Sequence, residues 1–324
     1  MRRAFTLALA LTAFAAPAQA DELDISLARF RGEASAAGVY TPDFDAYRRL
    51  MSQLGFALAP PLLEPARTTG YRGFRLSFDT TFVGIDDGAD YWRLGTEGDS
   101  MATFAEGNRF VPSSYAWSQL SVRKGLPYGL EAGLTLGRPY NASSWVFGGS
   151  LKIALLEGFR EGWPAFLPDF AVRGSVTTLV GESDFSLTVA SADLILSKPL
   201  VAGSTVVLTP IVGAQLMWIM ADGEYTDLTP ETDAWGQCGA VPPGGSTSPI
   251  GCTGDLTDFE NYTTWPEMRA FRPRMVVGFE LRYRALLVNT ALHWDLRDPA
   301  SVDGDVPDGV ERQWTLSFGA GLQY

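Results

Sequence analysis

The segment that most restricts how this chain can fold is its last, RQWTLSFGAGLQY, residues 312–324. Its even positions are Trp314, Leu316, Phe318, Ala320, Leu322 and Tyr324, and its odd positions are Gln313, Thr315, Ser317, Gly319, Gly321 and Gln323. One side is apolar and the other polar or bare, the period-2 pattern of a strand between two unlike environments. The pattern recurs from about residue 71. Phe74, Leu76, Phe78 and Phe82 oppose Arg75, Ser77, Asp79 and Thr81, and Leu130, Ala132, Leu134 and Leu136 oppose Glu131 and Thr135. Phe147, Leu151 and Ile153 oppose Ser150 and Lys152, and Phe170, Val172 and Val176 oppose Arg173 and Ser175. Phe279, Leu281 and Tyr283 oppose Glu280 and Arg282, and Leu286, Val288, Leu292 and Trp294 oppose Asn289, His293 and Asp295. Strands near 115–124 and 185–197 are less regular, and the second is expected to change phase near Val189 at a bulge. The reading is an all-β chain, a transmembrane antiparallel β-barrel of about ten strands, or about twelve if a loop hides a hairpin.

The connections sort by parity. KGLPYG, EGFREGWPAFLPD, SKPLVAGS and YRA are short or moderate, whereas residues 84–114, 222–271 and 297–311 form long, irregular, acidic loops. Long loops at one end and tight turns at the other is the arrangement of barrels that cross an outer membrane. Aromatic residues follow the same division. Phe82, Trp145, Trp218, Trp294 and Trp314 fall on the apolar face near the long loops, and Phe74, Phe170, Tyr283 and Tyr324 on the same face near the turns. Two aromatic belts bounding an apolar band fit the two interfaces of a bilayer. A sandwich core would give no such preference for the strand ends.

The amino terminus points to export. MRRAFTLALALTAFAAPAQA carries two arginines, an apolar run from Ala4 to Ala16 and the small-residue site Ala18-Gln19-Ala20, the features of a cleaved signal peptide over 1–20. Losing Arg2 and Arg3 takes the net charge from −12 to −14, which disfavours nucleic acid as a partner. The uncharged run from Leu200 to Ala221 is long enough for a membrane helix, but Gly203, Pro210, Gly213 and its alternation read as a long strand. Cys238 and Cys252 lie close together in a Gly/Pro/Ser-rich loop, and outside the cytoplasm they are expected to form one loop-stapling disulfide.

Ser317-Phe318-Gly319-Ala320-Gly321-Leu322-Gln323-Tyr324 resembles the C-terminal recognition element of bacterial outer-membrane β-barrel proteins. The resemblance implies that Ser317, Gly319, Leu322 and Tyr324 are read by the barrel-assembly machinery, and it covers roughly residues 70–324 as architecture. Outer-membrane lipid is the expected partner of the apolar band, and the acidic loops are expected to form a solvated surface bridged to lipopolysaccharide by divalent ions.

Residues 21–70 differ in kind. Thr41 as N-cap, Pro42 at the first helical position and Phe44, Tyr47, Leu50, Met51 and Leu54 at helical spacing predict a helix closed by Gly55. ALAPPLLEPARTTG links it to the first strand. A periplasmic helix packed beneath the barrel is the first expectation, because about ten strands leave little room inside. The second is a plug in the lumen, similar to the N-terminal hatch of long-chain fatty-acid transporters.

Arg75, Asp79, Glu131, Lys152, Arg173, Arg274, Glu280, Arg282 and Arg284 are expected to line the lumen, where mixed signs suit either buried pairing or a narrow wet pore. His293 and Asp295 share that face; a His/Asp pair can serve as a base and its orienter, and omptins use such a pair, but the His-x-Asp order lacks their other motifs. Asp303, Asp305 and Asp308 resemble hard-cation ligands without completing a calcium pattern, so neither a metal nor a cofactor is expected. Three functions follow in order: a passive channel or transporter for small or partly apolar solutes, a closed structural or adhesive barrel, and a surface hydrolase using His293.

Overall fold

A computed structural model of the chain describes residues 21–99, 104, 106–158, 166–203, 205–232 and 256–324. The expected signal peptide, 1–20, and both cysteines of the expected disulfide, Cys238 and Cys252, lie outside the described residues. Ten antiparallel strands close into a barrel: β1 (Phe74–Gly84), β2 (Ser114–Gly125), β3 (Leu130–Pro139), β4 (Trp145–Leu156), β5 (Asp169–Val180), β6 (Phe185–Ser197), β7 (Val206–Gly223), β8 (Met268–Tyr283), β9 (Leu286–Asp295) and β10 (Trp314–Gln323). Each pairs with its chain neighbours, and β10 pairs with β1 to complete the cylinder. Leu316 faces Phe82 and Gln323 faces Arg75 across that seam. Phe74 and Tyr324 exchange backbone hydrogen bonds of 2.9 and 2.8 Å at its end. Closure removes the unpaired edges that an open sheet would present.

The alternation read from the sequence is the alternation of the wall. Phe78, Leu134, Leu151, Phe279 and Phe318 stand exposed on the outside, while Arg75, Asp79, Glu131, Lys152, Arg173, Glu280, His293 and Asp295 are buried inside. Both aromatic groups lie outward, each at its expected end of the strands, and Trp218 packs on Phe271 at 5.4 Å. The loops 85–113, 224–267 and 296–313 all leave one end of the barrel.

Two strand details differ from expectation. No register shift interrupts β6 at Val189; Phe185, Leu187, Val189, Ser191, Asp193, Ile195 and Ser197 all point inward. What changes there is the lumen's chemistry, apolar near the long loops and mixed below, and the sequence pattern reads that change as a phase slip. The irregularity sits in β4 instead, between Ala154 and Leu156. The run from Leu200 is also not one strand. Leu200–Ala202 folds back on Val206–Leu208 through Gly203 at φ 68°, and β7 starts after that turn.

The amino-terminal segment occupies the barrel rather than packing beneath it. A ribbon of Arg31–Ala34 with Tyr40–Pro42 precedes helix α1 (Phe44–Leu58). The cap is Asp43, not Thr41: its carboxylate accepts the Ala46 N–H at 3.0 Å, and Pro42 belongs to the ribbon. Gly55 does not end the helix. A Cβ there would lie 2.4 Å from Ile219 Cγ2, so glycine lets α1 lie against the inner wall of β7. Tyr47, Leu50, Met51, Leu54 and Phe56 are fully buried against Val189, Met217, Ile219, Met268 and Ala270. These inward apolar residues of β6, β7 and β8 make a hydrophobic core at the long-loop end of the lumen.

Candidate functional site

The lumen below α1 is filled by the chain itself. Residues 59–69 run down it as an irregular strap, and many of its backbone groups are met by wall side chains. The helix end is satisfied first: Trp117 Nε1 donates to Ala57 O at 3.0 Å and Thr177 Oγ1 to Leu58 O at 2.9 Å. Gln215 Nε2 and the Arg274 guanidinium both donate to Pro60 O at 3.1 Å, and Arg173 to Pro61 O at 3.2 Å. Leu62 N–H donates to His293 Nε2 at 3.0 Å, and Asn289 donates to Leu63 O at 3.2 Å. Lys152 reaches Pro65 O at 3.1 Å, and the Ser197 hydroxyl accepts from Ala66 N–H at 2.9 Å. At the turn end, Glu157 accepts from Thr68 N–H at 2.9 Å and Glu131 from Thr69 N–H at 2.7 Å. Prolines at 60, 61 and 65 suit this path, because they remove donors that a lumen would have to satisfy and hold φ near extended values.

Most of the buried charges pair. Glu64 on the strap meets Arg123 at 2.7 Å and Arg173 at 2.9 Å, and Arg173 also binds Asp193. Lys152 pairs with Glu131 at 2.8 Å, Arg75 with Glu280, and Arg272 with Asp295. Asp79 accepts from Ser77 at 3.1 Å and Ser121 at 3.0 Å. Arg282 is half-buried and lines the turn-end mouth, and Arg284 sits in the β8–β9 turn at φ 55°. Most of these charges are paired, while Arg274 is held by Gln215 and strap carbonyls and Asp79 by hydroxyls.

His293 and Asp295 share the inner face but do not meet as a catalytic pair. The imidazole is fully buried and accepts a hydrogen bond from the strap, while Asp295 is held by Arg272 and by the Gln313 N–H at 2.9 Å. Asp303 and Asp305 do not form a calcium loop either. Asp303 accepts the Phe271 N–H at 2.8 Å and the Asp305 N–H at 3.1 Å, so its carboxylate caps the start of β8. Among the described residues no group of His, Cys, Asp and Glu is arranged to hold a metal.

Several residues of this interior were not legible as such. Glu64 sits in a proline-rich link with no periodicity, Asp193 in the stretch of β6 whose phase looks broken, and Gln215 in the uncharged run of β7. Gly319, placed in the assembly element by its position, also has a packing role. A Cβ there would come within 2.0 Å of Asp79 Oδ1 and 2.2 Å of Asn289 Oδ1.

Two small cavities open on this interior among the described residues. The cavity beside Pro60 and Pro61 holds about 20 Å³, and the one at the turn-end mouth, beside Pro65 and Arg75, about 30 Å³. Each is room for one or two waters. A wider crevice of about 610 Å³ is lined by Phe78, Leu120 and Trp145 of the outer wall together with Gln119 and Asp21.

No protein-family model and no curated protein matches the sequence. Among solved structures, the N-terminal β-barrel domain of Pseudomonas aeruginosa OprF aligns over 79% of this chain and 99% of its own, at 10% identity and TM-score 0.31. Ail of Yersinia pestis aligns over 78% and 99% at 9% identity and TM-score 0.27. Neisserial surface protein A aligns over 78% and 97% at 10% identity and TM-score 0.28. The fold itself stands on the closed ring of ten hydrogen-bonded strands.

Proposed function

We propose, from the premise that this chain has the outer-membrane β-barrel fold, that it is a sealed barrel presenting a folded polar face to the cell exterior. The exposed belt of Phe, Leu, Val and Trp would be an aggregation surface in water, and hydrocarbon is the solvent that suits it. The long loops then face outward, the turns face the periplasm, and Ser317–Tyr324 serves the assembly machinery. Lipopolysaccharide borders the aromatic belt nearest the long loops.

One observation carries the choice between a passive channel and a closed scaffold: the strap of residues 59–69. Its bonds to nearly every wall strand leave space for single waters, which speaks against free passage of solutes. The polar assembly above it, where α1, the loop 85–113 and the Arg31–Pro42 ribbon pack together, is the part available for binding a partner. Reconstitution into planar bilayers tests this. The full mature chain is expected to give no unitary conductance, and steady conductance steps from that chain would overturn the sealed reading.

A further inference from the structure

The path of the strap has a direction. Residues 21–43 dock on the long-loop end: Leu23 N–H donates to Asn141 O at 2.8 Å, Ser26 N–H to Gly95 O at 3.0 Å, and Arg29 reaches Thr96 O at 2.8 Å. Asn108 Nδ2 holds Glu22 O at 3.0 Å, and Asp24 accepts from Ser143 N–H at 2.6 Å. Each partner lies in a long-loop-end connection, either 85–113 or 140–144. The chain then enters the lumen as α1, descends as the strap and emerges by the turns, where Gly73 N–H bonds Gly70 O at 2.9 Å just before β1 begins. Eleven residues can span at most roughly 36 Å, and with about 22 Å of α1 above them they are long enough to cross the roughly 30 Å hydrocarbon core once.

We propose that residues 21–58 are translocated to the cell surface and that the chain crosses the membrane inside its own barrel, so that the mature amino terminus is extracellular. This rests on the outer-membrane reading above. A chain exported through its amino-terminal signal starts in the periplasm, so this segment has to pass the membrane during assembly. The placement of the seam explains how. β1 follows the strap directly and pairs with β10, so the last two strands to meet can close over a strap already laid in the open sheet. The wall facing the strap is built for this, with small residues at Gly133, Gly148, Ser150, Ser175, Ser191 and Ala171. Irregular backbone at membrane depth is tolerated where protein surrounds and satisfies it, as here.

The test uses the full chain with Cys238 and Cys252 replaced by serine, carrying one new cysteine at a time and probed with a membrane-impermeant maleimide on intact and lysed cells. Glu22 is exposed at the amino terminus, Asp87 in the first long loop and Tyr128 in a turn. The expected result is equal labelling of Glu22→Cys and Asp87→Cys before and after lysis, with Tyr128→Cys labelled at least about tenfold less on intact cells, as its turn-side position requires. Labelling of Asp87→Cys with protection of Glu22→Cys would overturn the translocation and leave the outer-membrane reading standing. Protection of all three until lysis, with loss from the outer-membrane fraction, would overturn both. A flexible epitope inserted between Ala20 and Asp21 gives a second readout. It should be reached by antibody on intact cells, and antibody binding confined to lysed cells would again overturn the proposal.

Discussion

The Glu64 carboxylate lies 2.9 Å from the Arg173 guanidinium although 109 residues separate them in the chain. One is on the strap and the other on β5. Arg123 of β2, three strands round the wall, meets the same carboxylate at 2.7 Å. One acidic side chain therefore ties the strap to two non-adjacent strands of the wall.

Removing that charge leaves two buried guanidinium groups undercompensated. Glu64→Gln keeps the volume and is expected to destabilise the barrel by about 3–5 kcal/mol, the range for breaking a buried pair from one side. The midpoint of urea unfolding in detergent micelles measures it. A shift smaller than that of the exposed-pair control Asp90→Asn would mean that the strap is not held through this carboxylate.

Gly55 sets a steric condition between α1 and β7. Gly55→Ala gains up to about 1 kcal/mol of helix propensity. The new methyl would meet three Ile219 carbons at 2.4–2.9 Å, and overpacking costs about 1–3 kcal/mol, so the net sign is destabilising. Ile219→Ala should restore part of the loss when combined with it, and a double-mutant cycle reads the coupling. Additive effects would show that α1 does not lie on Ile219.

His293 has a structural assignment that differs from a catalytic one. His293→Ala leaves the Leu62 N–H without its acceptor in a buried site and is expected to cost about 1–3 kcal/mol. Any hydrolytic background of the purified protein should stay unchanged. Loss of a hydrolytic activity with stability intact would reverse the assignment.

Docking of the amino terminus is expected to depend on pH through Glu182, in the connection between β5 and β6. Burial, with the neighbouring Asp24 and Asp184 charges, raises its pKa to about 7, against a partial opposing hydrogen bond from Ser144. An acid with a raised folded pKa binds more protons folded than unfolded, so its contribution favours the folded state below the ordinary carboxylate range. That contribution is lost as pH rises through about 7. Asp24 and Asp184 hold the segment directly, Asp184 accepting the Leu27 N–H at 3.2 Å. Proteolytic protection of residues 21–43 should therefore weaken from pH 5 to pH 8, by on the order of 1 kcal/mol on a half-exposed loop. Glu182→Gln should flatten the profile, and an unchanged slope in that variant would remove Glu182 from the effect.

The barrel was legible because its wall obeys one rule: lipid outside demands a regular apolar face, and Phe74 through Phe82 or Leu286 through Trp294 show it without interruption. The inside obeys no such rule. Where α1 lies against β6, the inward face is Leu187 and Val189, and the contrast that marks the two faces disappears. The strap has no pattern at all, since irregular backbone satisfied by scattered side chains needs no periodicity. The placement of α1 was missed for a related reason. Room inside a barrel depends on the smallness of residues such as Gly148 and Ser175, distributed over many strands, and on a glycine at 55 that reads as a helix stop.

The strap lies along the cylinder axis, and its bonds to the wall lie across it. A pull on Asp21 would peel the contacts of residues 21–43 and unravel α1 first, and would then load the strap's bonds side by side in shear. Force spectroscopy from that end should give a last, high rupture event governed by the unfolding barrier. The segment that runs through the lumen is thereby also a mechanical tether between the long-loop end and the wall.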